Sequence, residues 1–437
     1  MSEKIIYQNQ NLECADRKTL EARQLEGLKF SVGQALKTKF YAANLTGHIK
    51  SADDICSLDD LKKIPFTTKD DLRASYTDGI LATDMKDVVR MHTSSGTTGV
   101  PTVIYHTQKD INNWTELMER SLIASGATCA DIFQNMMTYG MFTGGLGFHY
   151  GAEKLGILVI PTGAGNTKRQ LQLMKDFKTT LVHATPSYMF HMATTMHEHG
   201  FSMQDLHLKK AYIGGEPHSE NTRKKIEEMY NIDAYNSYGL SEMNGPGVAF
   251  ECVHKTGLHV WEDSYILEII DPVTGEPVKE GETGEIVFTT LRREATPILR
   301  YRTRDLAAVI PGKCPCGRTH RRISRITGRT DDMLIINGAN VFPSQIEQVL
   351  MNVPEVGTNY MILVSKTGAL DKLTIQVEIY SKLFHGDLSE LEVLKHKIKD
   401  ELRASIMINP TVELHEPGSL PAFEMKAKRV IDSRIKI

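Results

Sequence analysis

A hydroxyl-rich loop at residues 93–101 has the clearest capacity for chemistry in this chain. Glycines let a backbone turn tightly, so that successive N–H groups can converge on one anion, and hydroxyls add donors to phosphate oxygens. Since no lysine follows Gly99, the loop differs from the G-x-x-x-x-G-K-[ST] phosphate loop, and positive charge must come from elsewhere. An ordinary polar surface turn is the alternative. The candidate phosphate-binding residues are Ser94, Ser95, Gly96, Thr97, Thr98 and Gly99.

Later segments place polar groups beside strand-like stretches. In residues 235–242, Y-N-S-Y-G-L-S-E, a strand end presents an aromatic ring that can stack near a base, and Glu242 offers a carboxylate for magnesium. In residues 300–305, R-Y-R-T-R-D, we expect Asp305 just after a strand, although an arginine–aspartate surface pair is the alternative. By itself, the G-G-E-P segment at 214–217 predicts an ordinary turn after a strand.

The segment from 138 to 149 is dense in glycines and aromatic residues. Backbone that carries no side chains, next to aromatic rings, suits a flat ring bound close to the main chain. The alternative is a glycine-rich loop whose aromatic residues only fill the core. The candidate residues for this pocket are Tyr139, Phe142, Gly144 and Gly145.

Three cysteines and one histidine form a candidate metal site. Two of the cysteines lie in a tight C-P-C-G turn, and the third lies with the histidine after Glu242. Three thiolates and one imidazole are a typical tetrahedral set for zinc, so we expect a structural zinc ion that ties two loops together. Free thiols beside a packed histidine are the alternative, and His254 or His320 could replace His259. The candidate ligands are Cys252, His259, Cys314 and Cys316.

Layers of strands and helices are needed to position these groups. Strand-like stretches at 158–160 and 180–183 alternate with helical ones, which indicates an α/β fold whose strands are buried on both faces. Residues 1–89 are expected to be mostly helical, with Ser57 and Asp60 forming a capped helix start. The apolar face of a helix is predicted at Leu25, Leu28, Val32 and Leu36.

A change of pattern near residue 330 predicts a second domain. A helix at 343–352 precedes strands at 360–364 and 373–380, and an amphipathic helix follows at 388–405. We therefore predict a large N-terminal domain, 1–329, and a small α+β lid domain, 330–437.

Composition excludes several functional classes. The chain has 437 residues, of which 41% are hydrophobic and 24% charged, and its net charge of −3 gives no reason to expect a nucleic-acid partner. No apolar run approaches a membrane span, and the N-terminus does not resemble a signal peptide. Six cysteines are too sparse for a secreted disulfide framework, so we expect a cytoplasmic protein.

The loop T-S-S-G-T-T-G-V-P resembles the phosphate loop [ST]-[ST]-S-G-[ST]-T-G-x-P of the adenylate-forming acyl-CoA ligases. The G-G-E-P turn, a Y-G-x-[ST]-E match and a partial match to G-K-x-x-R-V at 425–430 follow in the order of that family. Residues 64–72, I-P-F-T-T-K-D-D-L, resemble phenylacetate–CoA ligases in particular, as do the glycines at 144–147 and Arg304 before Asp305. Two departures from the wider family are Arg304 in place of the glycine of Y-x-T-G-D and Met425 in place of the glycine before the lysine.

The resemblance implies roles for individual residues. Lys426, with Lys428 as its competitor, would be the catalytic lysine, and Asp305 would bind the ribose hydroxyls. The implied catalytic residues are Lys426, Glu242 as the magnesium ligand, and Arg329. The implied ATP- or AMP-binding residues are those of the loop together with Gly215, Glu216, Pro217, Asn236, Ser237, Tyr238, Gly239, Asp305 and Arg329.

The reaction that the resemblance implies has two halves. A carboxylate attacks the α-phosphorus of ATP to give an acyl-adenylate and pyrophosphate, and coenzyme A then displaces AMP to form a thioester. Because the lid cannot hold Lys426 inside while the thiol enters, two lid orientations are expected, with Asp331 as the hinge.

The resemblance makes phenylacetate the expected acid, with phenylacetate catabolism as its context, while hydroxylated phenylacetate, indoleacetate and other aryl acids stay open. The expected partners are the acid, ATP, magnesium and coenzyme A, with no nucleic acid and no membrane, and a homodimer is left open. Two alternatives are AMP transfer to a deazaflavin cofactor without thioester formation and a non-catalytic nucleotide-binding protein.

Overall fold

The computed structural model describes residues 5–94, 100–141, 143–367, 370–380, 388–421 and 427–434. The chain divides into two compact units. Unit 1 comprises Met1–Gly163, Thr179–His183 and Tyr235–Arg325, and unit 2 comprises Ala164–Lys178, Ala184–Ala234 and Ile326–Ile437. Within the described ranges, no helix is long and apolar enough to cross a membrane.

The regular elements alternate along the chain. The helices are α1 Gln10–Glu13, α2 Arg17–Ala35, α3 Lys39–Asn44, α4 Lys69–Ala74, α5 Gln108–Ala124, α6 Thr143–Lys154, α7 Thr167–Asp176, α8 Pro186–Thr195, α9 Glu220–Tyr230, α10 Pro343–Asn352 and α11 Leu388–Ile406. The strands are β1 Arg90–Thr93, β2 Val103–His106, β3 Ile132–Asn135, β4 Leu158–Ile160, β5 Leu181–Ala184, β6 Lys210–Ile213, β7 Asp233–Leu240, β8 Gly245–Glu251, β9 Leu258–Val260, β10 Tyr265–Ile270, β11 Gly284–Thr290, β12 Tyr301–Ala307, β13 Val309–Ile310, β14 Arg322–Ile323, β15 Gly328–Arg329, β16 Leu334–Ile336, β17 Ala339–Val341, β18 Val356–Thr367, β19 Leu370–Ile379, β20 Thr411–His415 and β21 Val430–Asp432.

Unit 1 combines parallel and antiparallel strands. Strand β3 pairs in parallel with β4 and β5, whereas β7, β8, β9, β14 and β13 form an antiparallel ladder in that order. Strands β10, β11 and β12 form a second antiparallel sheet, and β1 pairs with β2. Helices α5 and α6 pack against each other and against β8. The predicted α/β class is confirmed.

The N-terminal helices of unit 1 pack as their apolar spacing predicts. Leu28 and Val32 on α2 are fully buried in a cluster that includes Tyr41 and Leu299, and Leu25 and Leu36 pack against it. Ser57 and Asp60 form the predicted capping box, although the turn that they begin, Leu58–Lys63, is a 3₁₀ helix. Local spacing was therefore sufficient to predict which face of α2 enters the core.

The C-terminal part of unit 2 is a small sheet covered by two helices. Strands β18 and β19 form an antiparallel hairpin, to which β21 and β20 add in parallel. Helices α10 and α11 pack against each other, and Ile346, Leu350, Ile398 and Leu402 enter the core. The predicted helices and strands of this region are confirmed, whereas the predicted boundary between residues 329 and 330 stays a prediction.

The expectation of strands buried on both faces is confirmed for β5, whose four residues are all buried, but it is wrong for β4. Leu158 on β4 is 56% exposed, because β4 lies at the end of its sheet. The expected position of Asp305 is also wrong. Asp305 lies inside β12, not after a strand. Its neighbourhood is irregular, because Glu285 pairs with Leu306 and Val287 with Arg302, which leaves residues 303–305 opposite a single residue. Such a bulge can re-aim a side chain.

Candidate active site

The hydroxyl-rich loop joins two antiparallel strands. Thr93 of β1 lies opposite Val103 of β2, as expected for a strand that pairs back beside the loop. Ser94 closes the base of the loop: its N–H donates to Thr102 O at 3.2 Å, and Thr102 N–H donates to Ser94 Oγ at 3.3 Å. The other predicted phosphate-binding residues, Ser95, Gly96, Thr97, Thr98 and Gly99, lie outside the described residues.

Two buried histidines lie on the strands that carry this loop. Burial lowers the pKa of His92 and lowers the pKa of His106 well below its ordinary value. Neither ring nitrogen of His106 has a hydrogen-bond partner among the described residues. The two rings are therefore neutral at physiological pH, and they supply no positive charge to a bound phosphate.

Glu242, the predicted magnesium ligand, lies among cations in unit 1. It belongs to a 3₁₀ turn after β7 and is only 4% exposed. Its Oε1 accepts a long hydrogen bond of 3.4 Å from Thr102 Oγ1 and lies 3.6 Å from Lys69 Nζ. The buried guanidinium of Arg293 donates to the main-chain oxygen of Glu242 at 2.6 Å. The loosely held carboxylate and the nearby Lys69 and Arg293 are suited to a ligand that contains both metal and anionic oxygens.

Asp305 is held by the tyrosine of the neighbouring motif. The Tyr238 hydroxyl donates to Asp305 Oδ2 at 2.7 Å, and Asp305 N–H donates to Thr303 Oγ1 at 3.1 Å. Arg304 has a φ of +69°, a region that glycine adopts with least strain. This conformation gives the physical reason for the glycine in the wider Y-x-T-G-D pattern. The two predicted nucleotide-binding residues, Tyr238 and Asp305, are thus in direct contact.

The other predicted residues on β7 are held by neighbouring strands. Asn236 N–H donates to Glu251 Oε2 at 2.7 Å, and Ser237 Oγ is buried with no hydrogen-bond partner among the described residues. Gly239 lies where the main chains of β7 and β8 approach closely, since a Cβ there would be 2.0 Å from Gly245 O. This close approach explains why position 239 requires glycine.

The predicted acid pocket has a polar network beside it in unit 1. Asn135 Nδ2 donates to the Tyr139 hydroxyl at 2.9 Å and to Gly145 O at 2.7 Å. The Tyr139 hydroxyl also lies 3.2 Å from His149 Nδ1, and Asn135 Oδ1 lies 3.3 Å from Nδ1 of the buried His183. Burial raises the pKa of Tyr139 to about 12, so the hydroxyl stays protonated. The network fixes the orientation of the Tyr139 ring.

The glycines of the predicted acid pocket lie in helix α6. A Cβ on Gly145 would be 2.8 Å from Thr138 O, so this glycine is needed for close packing of the main chain. Among the described residues, a Cβ on Gly144 would meet only Met137 Cε at 3.6 Å, an ordinary contact. Phe142, the fourth predicted pocket residue, lies outside the described residues.

In unit 2, Glu216 of the G-G-E-P turn connects two segments. Its Oε1 accepts the Ser187 N–H at 2.6 Å, and its Oε2 accepts the Ser187 hydroxyl at 3.0 Å and the Ala427 N–H at 3.2 Å. Gly215 has a φ of +79°, which permits the tight turn, and Pro217 is exposed. Lys426 directly precedes Ala427 in sequence and lies outside the described residues.

Two other predicted residues of unit 2 form an ion pair. Arg329 Nε lies 2.9 Å from Asp331 Oδ1, and Arg329 also lies near Asp332 at 3.7 Å. Asp331 follows β15 in a turn. The predicted roles of Arg329 as a nucleotide contact and of Asp331 as a hinge stay predictions.

The four predicted metal ligands converge in unit 1. The ligand atoms of Cys252, His259, Cys314 and Cys316 all lie within 4.8 Å of one another, and all four residues are buried. Cys252 Sγ lies 3.6 Å from Cys314 Sγ, and Cys316 Sγ lies 3.4 Å from His259 Nε2.

The alternative histidines are not part of this cluster. His320 Nδ1 accepts the Glu262 N–H at 2.9 Å, its Nε2 lies 3.2 Å from Leu12 O, and His254 is exposed. His259 is therefore the member of the set, and its Nδ1 has no hydrogen-bond partner among the described residues.

Sequence reasoning missed several groups beside the predicted site residues. Lys69 is the lysine of I-P-F-T-T-K-D-D-L, a segment that carries the family resemblance, but its position beside Glu242 was not predicted. Arg293 and Ser187 carried no local signal, because their contacts with Glu242 and Glu216 join residues far apart in sequence.

Comparison with known proteins identifies the group to which these residues belong. The AMP-binding enzyme family matches residues 34–291, which is more than half of the chain, and the AMP-binding enzyme C-terminal domain matches residues 338–434. The chain belongs to the AMP-binding enzyme family. Phenylacetate–coenzyme A ligase of Pseudomonas putida is 42% identical over 97% of this chain and 96% of the relative. The enzyme of the same name from Aromatoleum evansii is 44% identical over 97% of each chain.

A solved member of the acyl-CoA ligases shares the fold. A structure of 2-hydroxyisobutyryl-CoA ligase in the post-adenylation state, in complex with an acyl-AMP, matches with a TM-score of 0.92 and 25% identity, covering 99% of this chain and 93% of that chain. The same ligase in the thioesterification state, with CoA, matches with a TM-score of 0.71 and 26% identity over 98% and 92%. With the full-length relatives, these matches identify the chain as one of the AMP-forming acid–CoA ligases.

Proposed function

We propose that this AMP-binding enzyme joins phenylacetate to coenzyme A through a phenylacetyl-adenylate, releasing pyrophosphate and AMP. The observation that carries the proposal is identity above 40% along almost the whole length of two phenylacetate–CoA ligases. Neighbourhoods such as those of Glu242 and Asp305 give the proposal a chemical basis that does not depend on the relatives' names.

In the first half-reaction a carboxylate oxygen of the acid bonds to the α-phosphorus, and the bond to pyrophosphate breaks. No enzyme nucleophile is needed, so catalysis comes from positioning and charge stabilisation. Asp305, fixed by Tyr238, accepts the ribose hydroxyls, and Lys69 and Arg293 contribute positive potential near the phosphates. A magnesium ion held by Glu242 would neutralise phosphate oxygens, which fits a buried carboxylate whose contacts with the described Thr102 and Lys69 are long, at 3.4 Å and 3.6 Å.

In the second half-reaction the CoA sulfur bonds to the acyl carbon, and the bond to AMP breaks. We propose that residues 330–437 act as a lid that turns about Asp331 between the two halves. Support comes from 2-hydroxyisobutyryl-CoA ligase, whose two named states match this chain with TM-scores of 0.92 and 0.71, as expected if that enzyme changes shape between the states.

A panel of acids tests the proposed function. Purified protein is incubated with ATP, magnesium, CoA and one acid at a time, and AMP and thioester are both measured. Phenylacetate should give the highest kcat/KM and CoA should be consumed in proportion to AMP. AMP transfer to a deazaflavin without CoA consumption, or no turnover with any acid, would refute the proposal.

We expect ATP affinity to depend on Asp305. Asp305→Ala removes the proposed ribose acceptor and should weaken ATP binding by about 1.5–3 kcal/mol, the usual contribution of hydrogen bonds to a charged group. Tyr238→Phe removes only the hydroxyl that orients the carboxylate, so its loss should be smaller. Calorimetric titration of both variants with ATP provides the measurement. Unchanged affinity in a folded Asp305→Ala variant would remove this residue from the site.

We expect a side chain at Gly144 to exclude aryl acids. Gly144→Val should raise KM for phenylacetate strongly while leaving ATP affinity nearly unchanged, because the valine would fill the proposed slot for the ring. Since the contact of a Cβ at Gly144 with the described residues is an ordinary one of 3.6 Å, Gly144→Ala should fold and serve as the mild variant. Gly145→Ala should instead lower the melting temperature, because its Cβ would be 2.8 Å from Thr138 O. Unchanged KM in Gly144→Val would contradict the pocket assignment.

We also propose that the Cys/His cluster binds a structural zinc ion. With Zn–S near 2.3 Å and Zn–N near 2.0 Å, tetrahedral ligands lie roughly 3.8 Å apart for two sulfurs and roughly 3.6 Å apart for sulfur and nitrogen. The distances of 3.6 Å between Cys252 and Cys314 and 3.4 Å between Cys316 and His259 are close to these values. A disulfide would need an S–S distance of about 2.05 Å, so Cys252 and Cys314 are not joined by a disulfide and their sulfurs are available as ligands. The cytoplasmic location and a homodimer stay predictions.

A further inference from the structure

Glu216 accepts three hydrogen bonds from residues that the structure describes, and one of them comes from a segment distant in sequence. Two come from Ser187, at the start of α8: its N–H donates to Oε1 at 2.6 Å, and its hydroxyl donates to Oε2 at 3.0 Å. Free N–H groups and the positive end of the dipole at a helix N-terminus favour a carboxylate there. These two bonds preorganise Glu216 whether or not the third is made.

The third bond comes from the main chain just after the predicted catalytic lysine. Ala427 N–H donates to Glu216 Oε2 at 3.2 Å, and Ala427 follows Lys426 directly. Because an N–H belongs to the backbone, this bond restrains the path of the chain at position 427. A carboxylate has about four lone-pair sites, and the described residues occupy three of those of Glu216.

A second carboxylate makes the reverse connection within unit 2. Glu347 of α10 accepts the Ser219 N–H at 3.1 Å and a hydrogen bond from the Thr222 hydroxyl, at the start of α9. Glu216 thus connects the 184–234 stretch to the C-terminal stretch, and Glu347 of the C-terminal stretch binds the 184–234 stretch in turn. The hydrogen bonds between Glu216 and Ala427 and between Glu347 and Ser219 would both break if the C-terminal stretch turned away.

We propose that Glu216 is a positioning residue for acyl-adenylate formation, which holds the segment after Lys426 through the Ala427 N–H and releases it before thioester formation. This role rests on the proposed function and differs from a contact with the adenine end of the nucleotide. The charge on Glu216 acts on the lysine-bearing segment and not on the substrates.

Glu216→Gln tests the role with almost no change in shape. The amide oxygen of the glutamine is expected to keep the shorter bond to Ser187 N–H, and the amide NH₂ group then faces the Ala427 N–H. Because both of these groups are donors, the restraint on Ala427 is lost. We expect acyl-adenylate formation in single turnover to slow by about tenfold or more, the effect of losing one hydrogen bond to a charged group. Thioester formation from supplied phenylacetyl-adenylate and CoA should change less than twofold, and AMP affinity should be unaltered.

Two further variants keep the experiment decisive. Glu216→Asp keeps the charge at the helix N-terminus but is too short to bridge Ser187 and Ala427, so it should show the same selective loss if Glu216→Gln does not fold. Ser187→Ala removes one bond at 3.0 Å and leaves the Ala427 bond in place, so it should affect adenylate formation less.

Three outcomes overturn the proposal. They are an unchanged rate of adenylate formation in both Glu216 variants, an equal loss in both half-reactions, and weakened AMP binding, which would make Glu216 a nucleotide contact. Failure of the proposed function is distinguishable, because the unmodified enzyme would then form no thioester with any acid.

Discussion

Lys426→Ala is expected to abolish most acyl-adenylate formation while sparing thioester formation. In the first half-reaction negative charge builds up between the carboxylate and the α-phosphate, and a preorganised cation there is typically responsible for ~10²–10³ in rate, judging from single-donor deletions. In the second half-reaction a thiol attacks a carbonyl already activated by AMP, and the proposed rotation of the lid would by then have moved the lysine away. Single-turnover kinetics of each half-reaction, with supplied phenylacetyl-adenylate for the second, provide the measurement.

Lys428 and Asp331 provide the controls for this prediction. Lys428 is exposed and precedes β21, so Lys428→Ala should disturb neither half-reaction. Asp331→Pro should show the reverse pattern, forming adenylate but failing at thioester formation, because a locked φ cannot pivot. Equal loss of both halves in Lys426→Ala would remove the main support for two lid orientations.

The largest expected effect on stability comes from removing the proposed zinc. Metal binding and folding are coupled, and structural zinc contributes about 10–16 kcal/mol in isolated zinc-finger peptides. Cys314→Ser should therefore abolish zinc binding and lower the melting temperature markedly. Elemental analysis of protein purified without added metal should find one zinc ion per chain in the unmodified enzyme.

The surroundings of the cluster predict that its loss will reach the N-terminus. Tyr7 donates to Cys316 O at 2.6 Å, and fully buried Arg318 pairs with fully buried Glu13 at 2.7 Å. When the turn at Cys314 and Cys316 loosens, these contacts should loosen with it, which is measurable as faster hydrogen exchange near Glu13.

Cysteine outside the cluster offers a matched control for the zinc prediction. Cys129 is exposed, so Cys129→Ser should keep both the zinc and the stability. Two results together would contradict the zinc proposal. The unmodified protein would contain no metal, and Cys314→Ser would melt at the same temperature as Cys129→Ser.

Local features of this protein could be predicted from sequence because short-range physics decides them. Helix α10 begins at Pro343 because proline suits a first helical turn, and the face of α2 follows from the spacing of Leu28 and Val32. Motifs on single turns, such as that of Glu242, were found for the same reason, since their residues are neighbours in the chain.

Contacts between distant segments were decided only by the tertiary structure. Spacing left His254, His259 and His320 as alternative ligands, and strand pairing selected His259, because β9 lies beside β8 and brings it close to Cys252. The bulge that places Asp305 inside β12 depends on the register with β11, which no local pattern encodes.

The same reason explains why the pairing of Glu216 and Glu242 with their partners could not be predicted from the sequence. By itself, the sequence determined the family's motifs, their order and most regular elements, since each depends on residues close together in the chain. Glu216 meets Ser187 and Ala427, and Glu242 meets Lys69 and Arg293, across separations of dozens to hundreds of residues. Such pairs follow from how strands and helices pack, and packing is a property of the whole chain.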